Sequence, residues 1–362
     1  MQIGCRRYGN GWTGQHRSER RGSRDWKRCR RWTLADKFEK VIIAADGCSL
    51  TLMPELGGKI ASLRVGEVEL LQQPLRPYAR RFAAMSFAQS DASGWDECLP
   101  TVEACTVETA MGAVALADHG DLWCESWRVL GREPDAVTMS ARCRSLPLVL
   151  TRSLLLSPRA QGWQLRALYS LENLGPEPVP WSWSAHPLFT CEAGDRIRLP
   201  QSVRQLTVEY SRGERLGAAG SWIDWPGGLT LDGQDLDRQS PDGALDRVPD
   251  PDCGWAEKLF TGQLAAGDGW CELERARVGL RLRVRFDPAA TPYLGLWLCY
   301  GGWPEDGQER QRAIALEPTT APTDALATTG AWSRMLQPGA TAYWPMEVEV
   351  ERLAAMPPEM DA

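Results

Sequence analysis

The sequence predicts an all-β protein built as one large antiparallel sandwich, and three observations predict it. Apolar and charged residues alternate with a period of two in several separate stretches, and turn-forming residues fall between those stretches. No stretch longer than about ten residues carries helical periodicity. Short strands running from residue 40 to residue 352 without an interrupting linker belong to one domain.

In chain order, Val41–Ala44 is the first strand-like run, followed by the turn pair Asp46-Gly47. Glu55-Leu56-Gly57-Gly58-Lys59 lacks the spacing of a phosphate-binding Walker loop and reads as a hairpin turn. Leu148–Leu156 is a further strand. From Trp163 to Leu171, Trp163, Leu165, Ala167, Tyr169 and Leu171 share one face, and Asn173-Leu174-Gly175-Pro176 then breaks the pattern. Residues 224–254 carry eight aspartates with repeated Gly and Pro; so long a loop is either a rim over a site or a solvated excursion. Strict alternation returns in Gly279–Phe286, where leucine and valine alternate with arginine, and again in Met346–Glu351. Between them lie the turn Asp287-Pro288 and the apolar strand Tyr293–Tyr300.

Charge divides the 362 residues unevenly. Residues 1–31 hold ten Arg/Lys against Glu19 and Asp25, whereas the remainder holds 31 bases against 45 acids. Residues 1–33 are therefore expected to form a disordered, dispensable basic tail, and residues 34–362 a single acidic domain. An acidic body has no surface for nucleic acid. No apolar run reaches the roughly 18 residues of a membrane helix, and none follows the N-terminus as an export signal would. Eleven cysteines without a C-x-x-C pair read as reduced thiols, which points to the cytoplasm. Seventeen tryptophans exceed phenylalanine and tyrosine combined, and indole faces suit the apolar faces of sugar rings, although most tryptophans pack cores.

Histidine is scarce: His16 lies in the tail, His119 in the turn-like Ala117–Trp123, and His186 in the indole-rich Trp181–Phe189. Two histidines alone do not make a zinc site, so no metal is expected. Glu317 follows Ala313–Leu316 and precedes Pro318, where desolvation would raise the basicity of a carboxylate and suit it to accept a proton. Asp96-Glu97, within Gly94–Pro100, reads either as a turn cap or as a site wall.

From Lys40 to Leu353 the sequence resembles the aldose 1-epimerase (galactose mutarotase) family. Leu50–Ile60 resembles that family's opening strand pair with its Gly-Gly turn. Pro77-Tyr78-Ala79-Arg80-Arg81-Phe82 is similar to its Pro-Tyr-Ser-Asn-Arg-Ile segment, with Arg80 in place of the Asn; this puts Arg81 at the sugar-binding arginine. His119-Gly120, with Trp123 and Trp127 downstream, resembles the first active-site histidine. Tyr169–Asn173 followed by Ser184–Phe189 resembles the strand and histidine that carry the general acid. Leu316-Glu317-Pro318, with Pro322 and Asp324 after it, resembles the segment of the general base. For the family's acidic sugar contact, Asp246, Asp250 and Asp252 compete, Asp252 being the candidate taken forward.

The resemblance implies a galactose mutarotase-like β-sandwich that interconverts the α and β anomers of a free aldose. Glu317 would take the proton of the anomeric hydroxyl while His186 protonates the ring oxygen. His119 and Arg81 would hydrogen-bond the sugar, with Asp96, Glu97, Trp183 and Trp297 as further contacts. No cofactor, metal, nucleic acid or membrane is implied, only a small sugar; oligomeric state and choice of sugar stay open. Three alternatives remain. A phosphosugar epimerase would use Arg80 and Arg81. A glycosidase would pair Glu317 with Asp96 or Glu97 at about 5–9 Å. The last is a sugar-binding sandwich without turnover.

Overall fold

In the strand Leu280–Phe286, Leu280, Leu282, Val284 and Phe286 are buried while Arg281, Arg283 and Arg285 turn outward. The adjacent strand Thr341–Arg352 sets Glu351, Glu349 and Glu347 opposite those arginines. Arg285 reaches Glu349 at 3.0 Å, Arg281 pairs with Glu351, and Arg283 pairs with Glu272 of the neighbouring Trp270–Arg275. The Arg281–Glu351 and Arg285–Glu349 pairs are open to solvent and are worth roughly 0–1 kcal/mol each. Full burial of a leucine or valine is worth about 1.5–3 kcal/mol, so the inward row decides the register.

The computed structural model describes residues 38–353 except 84, 111, 228–243, 306, 308 and 327–332. The basic tail expected at 1–33 and most of the aspartate-rich loop fall outside the described residues. Among the described residues two antiparallel sheets dominate, and the larger has eleven strands. Its order is Val41–Ala45, Cys48–Met53, Lys59–Val65, Trp95–Cys98, Ser184–Thr190, Arg312–Thr319, Tyr293–Tyr300, Trp255–Thr261, Gln205–Ser211 and Trp222–Asp224, with Val68–Glu69 paired to the third. The smaller has eight: Arg196–Arg198, Trp270–Arg275, Leu280–Phe286, Thr341–Arg352, Gly162–Asn173, Leu148–Arg159, Ala136–Arg142 and Arg128–Arg132. Helical structure among the described residues is limited to short turns such as Phe87–Gln89 and Leu122–Cys124. The predicted hairpin turn at Asp46-Gly47 has both residues at positive φ, the geometry of a tight two-residue connection between twisted strands.

One apolar cluster joins the facing sides of the sheets, with Leu294, Leu296 and Leu298 from the first and Leu282, Val284 and Val348 from the second. The face Trp163, Leu165, Ala167, Tyr169 and Leu171 is buried there, as its alternation predicts. A polar tie crosses the same core: Arg152 and the Tyr169 hydroxyl both bond Glu97 Oε1, at 2.8 and 3.0 Å, and Trp183 Nε1 donates to Glu97 Oε2 at 2.9 Å. Burial raises the pKa of Glu97, and Arg152 pulls it back. Every acceptor here is answered, which is what an ionic group this deep requires.

Candidate active site

Side chains on successive strand residues point to opposite faces. In Trp95–Cys98 this sends Glu97 into the core between the sheets and Asp96 to the opposite face of the first sheet, where His186 stands directly across in register. The two carboxylates that adjoin in sequence therefore serve different environments. Asp96 and Asp91 are bound by Lys59 and Arg81 in a buried cluster of two cations and two anions. The Lys59 ammonium lies 2.7 Å from Asp96 and 3.1 Å from Asp91; the Arg81 guanidinium lies 2.9 and 2.6 Å from the same pair. Burial disfavours the charge on Asp91, but Lys59 and Arg81 outweigh it and hold its pKa well below the carboxylate range.

On that face of the sheet a cleft of about 410 Å³ opens, lined by His119, His186, Lys258 and Asp324 at one side. Phe87, Tyr210, Trp297 and Trp303 form its aromatic walls. The volume is that of a small-molecule site. Sheet register supplies the reactive end. His186 lies between positions Ser184 and Leu188, which pair with Thr319 and Ala315, so it comes level with Glu317. Its Nδ1 is 3.1 Å from Glu317 Oε1. From the next strand but one, Lys258 reaches Glu317 Oε2 at 2.5 Å and Asp324 Oδ1 at 3.3 Å. The strand between contributes Gly295, paired with Glu317. A Cβ there would sit 3.1 Å from the Phe260 ring and 3.4 Å from Glu317 Oε2, so glycine keeps space around the carboxylate.

His119 arrives from a turn. Its backbone is left-handed, φ +59°, uncommon for a residue with a side chain and often found at functional positions. The strain is held by Asp118, whose Oδ1 is 2.7 Å from His119 Nδ1 and whose Oδ2 accepts the Phe87 N–H at 2.8 Å. The Phe87 ring then stacks on the imidazole with centroids 4.1 Å apart. His119 and His186 meet edge to face, centroids 5.3 Å apart.

Electrostatics differ among these groups. Burial alone would raise the pKa of Glu317, but Lys258 and His186 together pull it down to about 2. Burial raises Asp324 to about 6 despite Lys258 alongside. His186 is lowered, chiefly by burial, with Glu317 opposing. Asp118 is lowered because the bond and charge of His119 exceed the cost of its burial.

The structure thus brings His119, His186 and Glu317 together, and Trp297 lines the same cleft. Glu317 has no exposed surface and stands behind His186 and Lys258 instead of bordering the cleft. Arg81, Asp96, Glu97 and Trp183 do not line it. Arg81 is committed to its two aspartates and to the carbonyls of Trp123 and Leu56, and Trp183 packs on Tyr169 and Trp344 in the core. Asp252 is exposed and paired with Arg312, and neither Asp246 nor Asp250 lines the cleft. Sequence reasoning missed Lys258 and Asp118. Lysine was the available signal: the chain has five lysines against 36 arginines, and two of the five, Lys59 and Lys258, are buried against carboxylates. No group of three or more metal-ligating side chains occurs among the described residues.

Solved structures share this architecture along nearly their whole lengths. The Slr1438 protein of Synechocystis sp. PCC 6803 superposes with a TM-score of 0.62 at 18% identity, over 88% of this chain and 97% of its own. A galactose mutarotase related enzyme from Lactobacillus acidophilus gives 0.61 at 13% identity, over 88% and 99%. A galactose mutarotase-like protein from Clostridium acetobutylicum gives 0.60 at 13%, over 88% and 97%. The chain has the galactose mutarotase-like fold. No family model matches the sequence, and no curated protein does. In this galactose mutarotase-like sandwich, no helix among the described residues is long and apolar enough to cross a membrane.

Proposed function

We propose that the protein interconverts the α and β anomers of a free aldose by acid–base ring opening. The observation that carries this is a pair of imidazoles at one cleft, each with Nδ1 beside a carboxylate: His186 with Glu317, and His119 with Asp118. Anomer exchange needs one group to take the proton of the anomeric hydroxyl and another to protonate the ring oxygen, each worth ~10²–10⁴ in rate. A carboxylate at Nδ1 orients an imidazole and steadies its charged form, leaving Nε2 for chemistry. The aromatic walls suit the apolar faces of a sugar ring. The names of the solved structures with this fold support the same substrate class.

A glycosidase reading draws less support. It needs two carboxylates across one substrate, whereas Glu97 is in the core and Asp96 is bound to Lys59 and Arg81. A phosphosugar reading loses Arg81 for the same reason.

Polarimetry or saturation-transfer NMR of freshly dissolved glucose, galactose and a hexose 6-phosphate tests the proposal. Anomer exchange faster than the buffer-catalysed rate on a free sugar, with aryl glycosides left intact, is the expected result. Absence of acceleration on every reducing sugar tried would overturn it.

A further inference from the structure

We propose that Lys258 is a positioning residue that fixes Glu317 as a carboxylate, so that His186 carries the proton to and from the substrate. This deepens the anomer-exchange reading and rests on it for the identity of the substrate. It departs from the sequence expectation, in which Glu317 itself accepts the proton.

Both oxygens of Glu317 are already engaged by donors. Lys258 Nζ lies 2.5 Å from Oε2, the Ser184 hydroxyl donates to Oε2 at 3.3 Å, and His186 Nδ1 lies 3.1 Å from Oε1. The side chain has no exposed surface, whereas His186 and Lys258 line the cleft. A proton placed on Oε2 would face the ammonium, and one on Oε1 would face the Nδ1 hydrogen of His186. Oε1 keeps one lone pair, but the side chain is sealed from the cleft, so a substrate proton reaches Glu317 only by way of His186 or Lys258. Against an ionised Glu317, His186 keeps its hydrogen on Nδ1, and its free nitrogen is Nε2. The remaining ionisable groups around the pair do not change this. Asp324 is the second partner of Lys258, the buried Cys98 thiol is driven far up in pKa and stays neutral, Asp96 across from His186 is bound by Lys59 and Arg81, and His119 meets the His186 ring edge to face.

The step then balances with this chain's own groups. Neutral His186 takes the proton of the anomeric hydroxyl at Nε2, and the released O–H electron pair forms the carbonyl at C1. The C1–O5 bond breaks, its electron pair goes to O5, and O5 takes a proton from protonated His119. After rotation about C1–C2 the reverse transfers close the ring on the other face and restore both imidazoles. Glu317 steadies the imidazolium throughout, and Lys258 prevents the proton from settling on Glu317.

NMR titration of the full chain tests this without relying on turnover, because only three histidines contribute ring signals. In the wild type the Glu317 carboxyl carbon should not titrate between about pH 5 and about pH 8, and neutral His186 should be the Nδ1–H tautomer. In Lys258→Met the Glu317 titration should move up by about one unit or more, and kcat should fall by about 10²-fold with little change in KM. Lys258→Arg should restore part of kcat. A wild-type Glu317 that titrates in that window, an Nε2–H tautomer, or a folded Lys258→Met with an unmoved pH profile would each overturn the proposal. If Lys258→Met does not fold, the wild-type titration and Lys258→Arg decide. A wild type inert on all sugars would instead defeat the functional reading, and the titration would still judge the Lys258–Glu317–His186 arrangement.

Discussion

His119 and His186 stand edge to face at 5.3 Å, although one comes from a strained turn and the other from the middle of a buried strand. Each has a different carboxylate at Nδ1, so the two rings are oriented independently and converge only at the cleft. Such a pair allows one imidazole to be basic while the other is acidic, which a single histidine cannot provide at one moment.

His119→Asn separates the ring from the backbone it rides on. Asparagine tolerates the left-handed conformation that φ +59° requires, so the turn should persist. Anomer exchange is expected to fall by about 10²-fold or more, with a melting temperature close to wild type. Wild-type turnover in this variant would remove His119 from the chemistry.

Glu317→Gln keeps the shape of the side chain but removes the charge that faces Lys258 and His186. Turnover should drop by ~10²–10⁴ while sugar binding, followed by calorimetry, persists. Some melting temperature will be lost, since Lys258 keeps only Asp324 as an anionic partner. Turnover near the wild-type rate would make Glu317 a purely structural strand residue.

Arg81→Met addresses the residue for which sugar contact and structural roles diverge most. Two buried aspartates would be left with Lys59 alone, and breaking a buried ionic cluster costs about 3–5 kcal/mol. A large fall in melting temperature with an unchanged KM in the folded fraction is expected. A raised KM at unchanged stability would instead return Arg81 to the ligand.

The difference between what was legible and what was not lies in how each residue is exposed. Arg281, Arg283 and Arg285 announce their strand because one face meets water, so alternation survives in the sequence. The strand Trp95–Cys98 is four residues long and buried on both faces; without alternation, nothing showed that Asp96 and Glu97 point in opposite directions. Arg81 followed the family segment, yet its partners Asp91 and Asp96 are fixed by a buried cluster that no local pattern encodes. His119, His186 and Glu317 were readable as reactive groups by residue type. Their order, with His186 in front and Glu317 behind, depends on the register of three strands and on Gly295, and appears only in the fold.

Asp324 gives a prediction whose sign depends on pH. Its pKa is raised from the usual 3.8 to about 6, so the folded protein holds this proton more tightly than the unfolded chain does. Stability from this group is therefore greatest at low pH and declines as pH rises from about 4 through about 6, after which the loss is complete. An asparagine at this position is neutral at every pH. Asp324→Asn should accordingly melt higher than wild type above about pH 6, by up to about 3 kcal/mol, and the gain should vanish below about pH 4, where both side chains are uncharged. Thermal melts of the two proteins across that range provide the test. A variant less stable than wild type at neutral pH would mean that the Lys258–Asp324 contact at 3.3 Å outweighs the cost of burying the charge. Lys258 would then be held by two stabilising ion pairs instead of one.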